Sequence, residues 1–349
     1  MKMPNRLVTI AAAAALSYAA VAAAATDISG AGATFPYPIY AKWADAYKKL
    51  TGMGLNYQSI GSGGGIKQIK AKTVTFGASD MPLKPDDLKA AGLLQFPMII
   101  GGVVPVVNVK GIQPGQLHLD GVTVASIYLG DIKQWDDPQI KRLNPKLALP
   151  STAIAPVYRS DGSGTNFLFS DYLSKASPKF MSTIGANTSV QWPTGIGAKG
   201  NEGVANMTTQ TDGAIGYVEY AYAKQNKMAY TLLTNKAGAA VAPNAESFQA
   251  AAANADWVHS DSYYLILTDQ AGAKSWPITG ASFILVYKQP DDPASVNEAL
   301  KFFAWAYKDG ASMAAELDYV PLPAALIAQV KKTWVSEITS GGHPVWSGK

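Results

Sequence analysis

The 349-residue sequence contains no cysteine. The fold therefore cannot depend on disulfides, and thiolate ligands for a metal are excluded. The three histidines, His118, His259 and His343, are scattered and lack the spacing of a zinc site. We expect neither a metal site nor a bound cofactor, and the chain must be held together by its core.

An excess of charge of one sign is also missing. The formal net charge is +4, and it drops to +2 if the two cations of the N-terminal segment, Lys2 and Arg6, are removed. That excess is too small for the basic surface with which proteins bind nucleic acids. After residue 25, no apolar run of the sequence reaches the length that crosses a bilayer. We therefore expect no nucleic-acid partner and no second membrane segment.

The N-terminus has the pattern of a secretory signal peptide. Two cations precede an apolar, alanine-rich stretch from Leu7 to Ala25 that ends in small residues. A retained membrane anchor is the alternative, but an anchor would be richer in Leu, Ile and Phe. We predict that residues 1–25 are removed by cleavage near Ala24 or Ala25 and that the protein is exported, with the bacterial periplasm as its compartment.

The rest of the chain alternates between strand and helix patterns. Apolar residues recur at helical spacing after Pro36 and again after Pro293, whereas Phe96 to Val109 is a β-branched run typical of buried strands. The predicted strands are 55–60, 73–78, 96–109, 153–158, 213–220, 263–267 and 283–287. The predicted helices are 39–51, 66–72, 166–175, 220–226, 293–310 and 323–334. This alternation indicates an α/β fold, and the length favours two domains.

Four short segments combine glycine with small polar residues. They are residues 30–35, 60–65, 76–80 and 159–165. Two of them connect a predicted strand to a predicted helix, at 60–66 and 158–166. Helix N-termini present unpaired N–H groups, and open α/β sheets bind ligands at the carboxyl ends of their strands. We expect the four segments to converge on one small oxyanion. If the strand-to-helix segments 60–66 and 158–166 belong to different domains, the oxyanion lies between those domains.

The first two segments offer Thr34, Phe35 and Ser62 as candidates. Thr34 and Ser62 would donate hydroxyl groups to the anion, and Phe35 would donate its backbone N–H. Alternative interpretations remain open, because glycine-rich turns are common and Thr34 also lies near an N-cap position of the first helix. The second segment lacks the spacing of a Walker loop.

The segment Arg159-Ser-Asp-Gly-Ser-Gly-Thr165 is the most specific of the four. A guanidinium can form two parallel hydrogen bonds to a tetrahedral anion. Ser163, Gly164 and Thr165 would add N–H groups and two hydroxyls at a helix start, while Asp161 would orient the arginine through an ion pair. The alternative is a glycine-rich hairpin with a surface ion pair.

Asp80 is the most diagnostic residue. A carboxylate repels an anion unless the ligand carries a proton that the carboxylate can accept. Protonated phosphate offers a P–OH group, whereas sulfate offers none and would leave two negative charges facing each other. The alternative is that Asp80 caps the helix after Pro82, and the residue pattern leaves both interpretations open.

Enzymatic chemistry finds little support in the sequence. Ser163 departs from the Gly-x-Ser-x-Gly nucleophile elbow, and no histidine lies near these segments in sequence to act as a base. We therefore predict no catalytic residue, and an anion-binding protein rather than a phosphatase. A binder of sulfate or molybdate is a second alternative, against which Asp80 argues.

At these residues the sequence resembles the periplasmic phosphate-binding proteins of high-affinity phosphate ABC transporters. The likeness extends over nearly the whole chain after residue 25. The matching segments are Gly30-Ala-Gly-Ala-Thr-Phe-Pro36, Tyr40-Ala-Lys-Trp-Ala-Asp45, Gly77-Ala-Ser-Asp80, Gln95-Phe-Pro97, Ile127-Tyr-Leu-Gly130, Asp161-Gly-Ser-Gly-Thr165 and Gly213-Ala-Ile-Gly-Tyr-Val-Glu-Tyr-Ala-Tyr222. Gly63-Gly64 differs from the Ser-Gly of some members, and the tail 341–349 shows little likeness.

The resemblance implies an α/β, two-lobed periplasmic binding protein of type II, a Venus flytrap with its ligand in the inter-lobe cleft. Lobe 1 would comprise residues 26–106 plus 280–349 and lobe 2 residues 107–279, with strands crossing near 105–109 and 277–282. The implied phosphate-binding residues are Thr34, Phe35, Ser62, Asp80, Arg159, Ser163, Gly164 and Thr165, with Asp161 as the partner of Arg159.

The resemblance also implies a function in transport. The protein would be a monomeric, non-enzymatic solute-binding protein that captures inorganic phosphate. Arsenate would compete for the site, and an inner-membrane ABC permease would receive the phosphate for import.

Overall fold

The computed structural model describes residues 27–253, 255–257, 259–346 and 348, so the predicted signal peptide lies outside the described residues. The strands are β1 Ile28–Gly32, β2 Leu55–Ser59, β3 Phe76–Ser79, β4 Leu93–Asn108, β5 His118–Leu119, β6 Ala155–Arg159, β7 Ile196–Ala198, β8 Ala214–Glu219, β9 Ala229–Tyr230, β10 Leu232–Thr234, β11 Ala240–Val241, β12 Thr279–Tyr287, β13 Thr339–Ser340 and β14 His343–Pro344.

The helices are α1 Tyr37–Thr51, α2 Ser62–Lys70, α3 Pro85–Ala91, α4 Gly121–Tyr128, α5 Pro138–Leu143, α6 Gly164–Ala176, α7 Pro178–Thr183, α8 Gly200–Gln210, α9 Tyr220–Gln225, α10 Ala245–Ala252, α11 Pro293–Lys308, α12 Ala311–Ala315 and α13 Ala324–Glu337. Among the described residues, no helix combines the length and the hydrophobicity that crossing a bilayer requires.

Two parallel groups of strands, joined by an antiparallel pair, make up the main sheet. In the described part of the chain its order is β2-β1-β3-β12-β4-β8-β6-β7, with β9 alongside β4. β1 runs parallel to β2 and β3, and β6 runs parallel to β7 and β8, whereas β12 and β4 are antiparallel to their neighbours. Ligand-binding loops are therefore expected at the carboxyl ends of both parallel groups.

Strand β4 changes its partner part-way along its length. Its residues 93–102 pair with β12, and its residues 103–108 pair with β8. All 16 residues are buried except the last, as expected for a strand covered on both faces. One apolar strand thus belongs to both groups of the sheet.

Helix α1 forms as its periodicity predicts. Its buried face consists of Ile39, Tyr40, Trp43 and Tyr47, and Gly52 ends the helix in the left-handed conformation. The indole N–H of Trp43 donates to the carbonyl of residue 310 at 2.8 Å. This contact ties the start of the chain to its C-terminal helices.

The predicted strand at 263–267 is wrong. Asp261–Tyr263 forms a single 3-10 turn, and the chain after it is irregular. Ser262 and Tyr263 have φ angles of 52° and 57°, which a strand does not allow. Tyr263 and Leu267 are nevertheless buried, so the apolar residues that suggested a strand cover the core from a loop.

Helix α2 begins earlier than predicted. The sequence pattern placed its start at Ile66, but the glycines at 63–65 form its first turn and the helix begins at Ser62. Gly61 precedes it with a φ of 86°, and a Cβ at Gly61 would lie 2.3 Å from Oδ2 of Asp161. Ser62 is therefore held in the first turn of a helix, where N–H groups lack partners within the helix.

Candidate oxyanion-binding site

The predicted site residues come together at the carboxyl ends of the parallel strands. Thr34 follows β1, Ser62 follows β2, Asp80 follows β3 and Arg159 ends β6. The segment 163–165 starts helix α6. The site side chains that are at most 4% exposed are Thr34, Phe35, Ser62, Asp80, Arg159, Ser163 and Thr165. Residues far apart in the sequence therefore form one buried polar group.

The loops before α2 and α6 contact each other directly. The N–H of Gly63 donates to the carbonyl of Gly162 at 2.8 Å, and the N–H of Gly164 donates to Oγ of Ser62 at 3.0 Å. A Cβ at Gly164 would lie 2.5 Å from both Oγ of Ser62 and Cβ of Asp80. Only glycine allows this close approach.

Arg159 and Asp161 form a two-point ion pair. Nε and Nη2 of Arg159 donate to the two carboxylate oxygens of Asp161 at 2.7 and 2.6 Å, and the N–H of Gly200 adds a third bond at 3.1 Å. Burial alone would raise the pKa of Asp161, but the hydrogen bonds and charge of Arg159 outweigh it and hold this pKa below its ordinary value. Asp161 is therefore a fixed anion that orients the guanidinium.

Arg159 and Asp80 each keep one side-chain atom without a partner among the described residues. These atoms are Nη1 of Arg159 and Oδ1 of Asp80, and both are buried. Asp161 accepts from Nε and from one hydrogen of Nη2, so the edge formed by Nη1 and the second hydrogen of Nη2 is the one left for the predicted two-point contact with an anion. Leaving a buried charged group unpaired costs more than about 1–3 kcal/mol, so these two atoms are candidates for contact with a ligand.

The carboxyl group of Asp80 has unusual ionisation. Burial raises its pKa to about 7, although Ser282, Arg159 and Ser62 each act to lower it. Its Oδ2 lies 3.5 Å from Oγ of Ser62, at the limit of a hydrogen bond. Near neutral pH the group is thus divided between an ionised form that only accepts hydrogen bonds and a protonated form that can also donate one.

The two capping alternatives are both wrong. Helix α3 begins at Pro85 with Lys84 at its N-cap, so Asp80 lies too far away to cap it. Helix α1 has Pro36 at its N-cap and no side-chain cap, so Thr34 has no capping role there either. Both polar side chains are left for the site.

The hydroxyl groups of Ser62 and Ser163 accept bonds from backbone donors. Oγ of Ser62 accepts from the N–H of Asp80 at 3.1 Å and from that of Gly164 at 3.0 Å. Oγ of Ser163 caps α6 by accepting from Asn166 at 3.0 Å. Since a hydroxyl has two lone pairs and one hydrogen, the hydrogen of Ser62 must be donated elsewhere.

The backbone donors at 163–165 are fewer than the sequence suggested. The N–H of Ser163 donates to the carbonyl of Thr188 at 2.9 Å, and that of Gly164 donates to Ser62. The N–H of Thr165 lies in the first turn of α6, where no helix carbonyl can reach it. The predicted nest of three N–H groups is therefore narrowed to this one.

Sequence reasoning missed Asn201, which lies directly behind two of the candidate hydroxyls. Its backbone N–H and its Nδ2 both donate to Oγ1 of Thr34, at 3.2 and 2.6 Å, and Nδ2 also donates to Oγ1 of Thr165 at 3.1 Å. Asn201 follows β7 and Gly200 at the start of α8. This position, after a parallel strand and a glycine, is the signal that could have identified it.

Glu219 and Tyr319 were also missed. Oε2 of Glu219 lies 2.8 Å from the hydroxyl of Tyr319, which lies 2.7 Å from the carbonyl of Phe35. One hydroxyl hydrogen cannot serve both oxygens, so a protonated Glu219 that donates to Tyr319 satisfies the group. Burial raises the pKa of Glu219 well above its ordinary value, which agrees with a protonated carboxyl at this position.

In the described part of the chain, no three or more His, Asp or Glu side chains are grouped so that they could hold a metal ion. The polar groups of the site are instead hydroxyls, N–H groups, one guanidinium and carboxyl groups, of which that of Asp161 is already held by Arg159. This set suits hydrogen bonding to a small oxyanion.

Comparison with known proteins identifies the family. Residues 18–309 match the family model of the PBP superfamily domain. The phosphate-binding protein PstS of Pasteurella multocida (strain Pm70) is 54% identical over 323 residues, which are 92% of this chain and 94% of that protein. The chain belongs to the PstS family of phosphate-binding proteins. The PstS protein of Methanocaldococcus jannaschii is 33% identical over 302 residues, 80% of this chain and 78% of its own.

Solved structures share the fold of this PstS-family chain at low sequence identity. The phosphate binding protein from Stenotrophomonas maltophilia has a TM-score of 0.68 at 21% identity, covering 93% of this chain and 99% of its own. The periplasmic phosphate-binding protein PfluDING has a TM-score of 0.71 at 19% identity, covering 91% and 96%. The prediction of a two-lobed α/β periplasmic binding protein is confirmed.

Proposed function

We propose that this protein is a periplasmic solute-binding protein that captures inorganic phosphate and delivers it to the permease of an ABC transporter. Two atoms support this assignment most directly: the buried acceptor Oδ1 of Asp80 and the buried donor Nη1 of Arg159, neither with a partner among the described residues. An acceptor and a cationic donor in one site suit an anion that itself carries a proton. Relatives with 54% identity are named phosphate-binding proteins, which favours binding over catalysis.

In the proposed complex, donors surround the phosphate on all sides but one. The hydroxyls of Thr34, Ser62, Ser163 and Thr165, the N–H groups of Phe35 and Thr165, and Nη1 of Arg159 donate to its oxygens. Asp80 accepts the bond from the P–OH group, and Gly164 leaves the room that a Cβ would fill. Asp161 holds the guanidinium in place. Dispersing the charge over many fixed dipoles replaces the lost hydration of the anion.

We propose that capture depends on a hinge motion of two lobes, residues 26–106 plus 280–349 and residues 107–279. Contacts such as Gly63 to Gly162 and Gly164 to Ser62 cross between these lobes. A ligand that bonds to both lobes at once favours the state in which they meet. β4, which pairs with both groups of the sheet, is the element about which such a motion would occur.

The remaining proposals concern the setting of the protein. We propose that cleavage of residues 1–25 releases it into the periplasm as a monomer. An ABC permease in the inner membrane receives its phosphate for import. Arsenate, which has the shape and protonation of phosphate, competes for the site.

Isothermal titration of the phosphate-free protein tests these assignments. We expect one-to-one binding of phosphate at pH 8, competition by arsenate and no binding of sulfate. Binding of sulfate with the same affinity as phosphate would show that the site does not distinguish a protonated ligand from an unprotonated one. Absence of phosphate binding would refute the proposed function.

A further inference from the structure

Asn201 is fully buried at the start of α8, between residues of three other segments. It contacts Thr34 after β1, Thr165 in the first turn of α6 and Glu219 at the end of β8. These partners are separated from Asn201 by 167, 36 and 18 residues in sequence. A side chain with this many fixed contacts has a single orientation.

The backbone of Glu219 decides which way the Asn201 amide points. The N–H of Glu219 donates to Oδ1 of Asn201 at 2.8 Å, and a backbone N–H can only donate. Oδ1 must therefore face Glu219, and Nδ2 must face the hydroxyls of Thr34 and Thr165. Each hydrogen of Nδ2 then has one threonine oxygen as its acceptor.

These donors determine the direction of the threonine hydrogens. Oγ1 of Thr34 accepts from both the backbone N–H and Nδ2 of Asn201, which fills its two lone pairs. Its hydroxyl hydrogen is left to point away from Asn201. Oγ1 of Thr165 has one lone pair filled in the same way, which also turns its hydrogen away from the amide.

We propose that Asn201 is a positioning residue for phosphate recognition, an inference that rests on the proposed function. Together with its own backbone N–H, its amide fills both acceptor positions of Thr34 and makes that hydroxyl an obligatory donor, while on Thr165 it fills one of the two. A P–OH group of the ligand therefore cannot donate its hydrogen to Thr34. Asp80 keeps an unpartnered acceptor oxygen among the described residues, so Asn201 favours the orientation in which the P–OH group faces Asp80.

Ser62 provides the internal comparison. Its lone pairs are filled by the backbone N–H groups of Asp80 and Gly164, which no substitution of a side chain removes. On Thr34 one of the two donors is the amide side chain of Asn201, and on Thr165 the amide is the donor, so these contacts can be deleted or reversed. Asn201→Ala deletes both Nδ2 bonds and leaves the backbone N–H bond to Thr34. Asn201→Asp keeps the shape and the acceptor for Glu219, but it replaces the donors with an oxygen that attracts the threonine hydrogens.

The order of the two variants is the first test. We expect titration of the full protein with inorganic phosphate at pH 8 to show about 10- to 100-fold weaker binding for Asn201→Ala, and still weaker binding for Asn201→Asp. A merely structural role predicts the reverse order, because aspartate fills the volume that alanine leaves empty. Asn206→Ala, an exposed position on the same helix, is the matched control.

A double-mutant cycle separates the hydroxyl effect from the added charge of aspartate and from any loss of stability. In the background Thr34→Val, Thr165→Val, no threonine hydrogen remains to be oriented, so Asn201→Ala should cost less than about threefold. Thermal unfolding in the absence of phosphate shows which variants fold. If Asn201→Ala does not fold, the cycle is measured with Asn201→Asp instead. Thr34→Ser, which keeps the hydroxyl, should restore the sensitivity to Asn201 that Thr34→Val removes.

The outcomes are distinguishable. An equal loss in both backgrounds, or binding by Asn201→Asp that is tighter than by Asn201→Ala, overturns the role of Asn201 while leaving phosphate binding intact. A wild-type protein that binds no phosphate overturns the proposed function instead.

Discussion

Asp80 and Asp161 lie in the same site, yet their carboxyl groups have opposite surroundings. Both oxygens of Asp161 accept bonds from Arg159, and a third bond comes from Gly200, so its pKa is lowered despite burial. Asp80 has one oxygen without a partner among the described residues and a pKa of about 7. The residue type is the same, but fixed donors outweigh burial at Asp161, whereas burial outweighs the weaker favourable contacts at Asp80.

The nitrogen atoms of Arg159 also differ in their contacts. Its Nε and one hydrogen of Nη2 donate to Asp161, and its Nη1 has no partner among the described residues. The guanidinium is thereby oriented before the ligand arrives, so less side-chain entropy is lost on binding. In the proposed complex Asp80 needs no such partner, because the P–OH group of phosphate supplies the hydrogen that it accepts.

Among the substitutions that test this contrast, Arg159→Ala should have the largest effect on phosphate binding. It removes the cationic donor and leaves Asp161 buried without its partner, facing the anion. We expect phosphate binding to weaken by about 2–5 kcal/mol in isothermal titration. Arg142→Ala, an exposed arginine on α5, should leave the affinity unchanged. An affinity of Arg159→Ala within threefold of wild type would place Arg159 outside the site.

Asp80→Asn should make the phosphate-free protein more stable at high pH. Since the folded pKa is raised from 3.8 to about 7, the folded state binds the extra proton, and wild-type stability falls as the pH rises through this window. The variant escapes this loss, so its gain should grow from near zero at pH 4 to about 2–4 kcal/mol above pH 7. Urea unfolding between pH 4 and 8 measures it, with the exposed Asp212→Asn as control. A gain that does not change with pH contradicts the raised pKa.

Asp161→Asn should have the opposite sign. The folded pKa of Asp161 is lowered, so its stabilising effect is present above the unfolded pKa of about 3.9 and is lost as the pH falls through the folded value. We expect the variant to be about 1–3 kcal/mol less stable than wild type at pH 7, with a deficit that shrinks below about pH 4. The same urea series tests this, and a deficit that persists in acid would rule out the ion pair as its source.

The wild-type protein should lose its rejection of sulfate on acidification. Protonated Asp80 can donate to sulfate, whereas the ionised form repels it. With a pKa of about 7, the protonated fraction, and with it the sulfate affinity, should rise about tenfold from pH 8 to pH 6 and then level off. Titration with sulfate measures this rise. Asp80→Asn should bind sulfate with no such dependence on pH, and a flat wild-type profile would separate sulfate rejection from the ionisation of Asp80.

Some of the site could be predicted because its residues follow parallel strands. Thr34, Ser62 and Asp80 each come directly after a strand of one parallel group, and Arg159 ends a strand of the other. The carboxyl ends of parallel strands share one edge of a sheet, so local patterns are enough to bring these residues together. Asn201 has the same placement, but its strand β7 has only three residues and shows no apolar run.

Other features depended on packing that no local pattern contains. The left-handed backbone at Ser262 and Tyr263 replaces a predicted strand, because burial of Tyr263 and Leu267 is achieved from a loop. The glycines at 63–65 were predicted as a loop and form a helical turn, which the contact between Gly63 and Gly162 supports.

The amino-acid sequence by itself determined the α/β alternation and the charged and hydroxyl groups that the site contains, since both are written in local periodicity and residue type. Only the tertiary structure decided the state of those groups. Asp80 owes its raised pKa to burial, and the groups that oppose the rise, Ser62, Arg159 and Ser282, lie up to 202 residues away in the chain. Burial and distance set both ionisation and hydrogen-bond direction, and neither exists until the chain has folded.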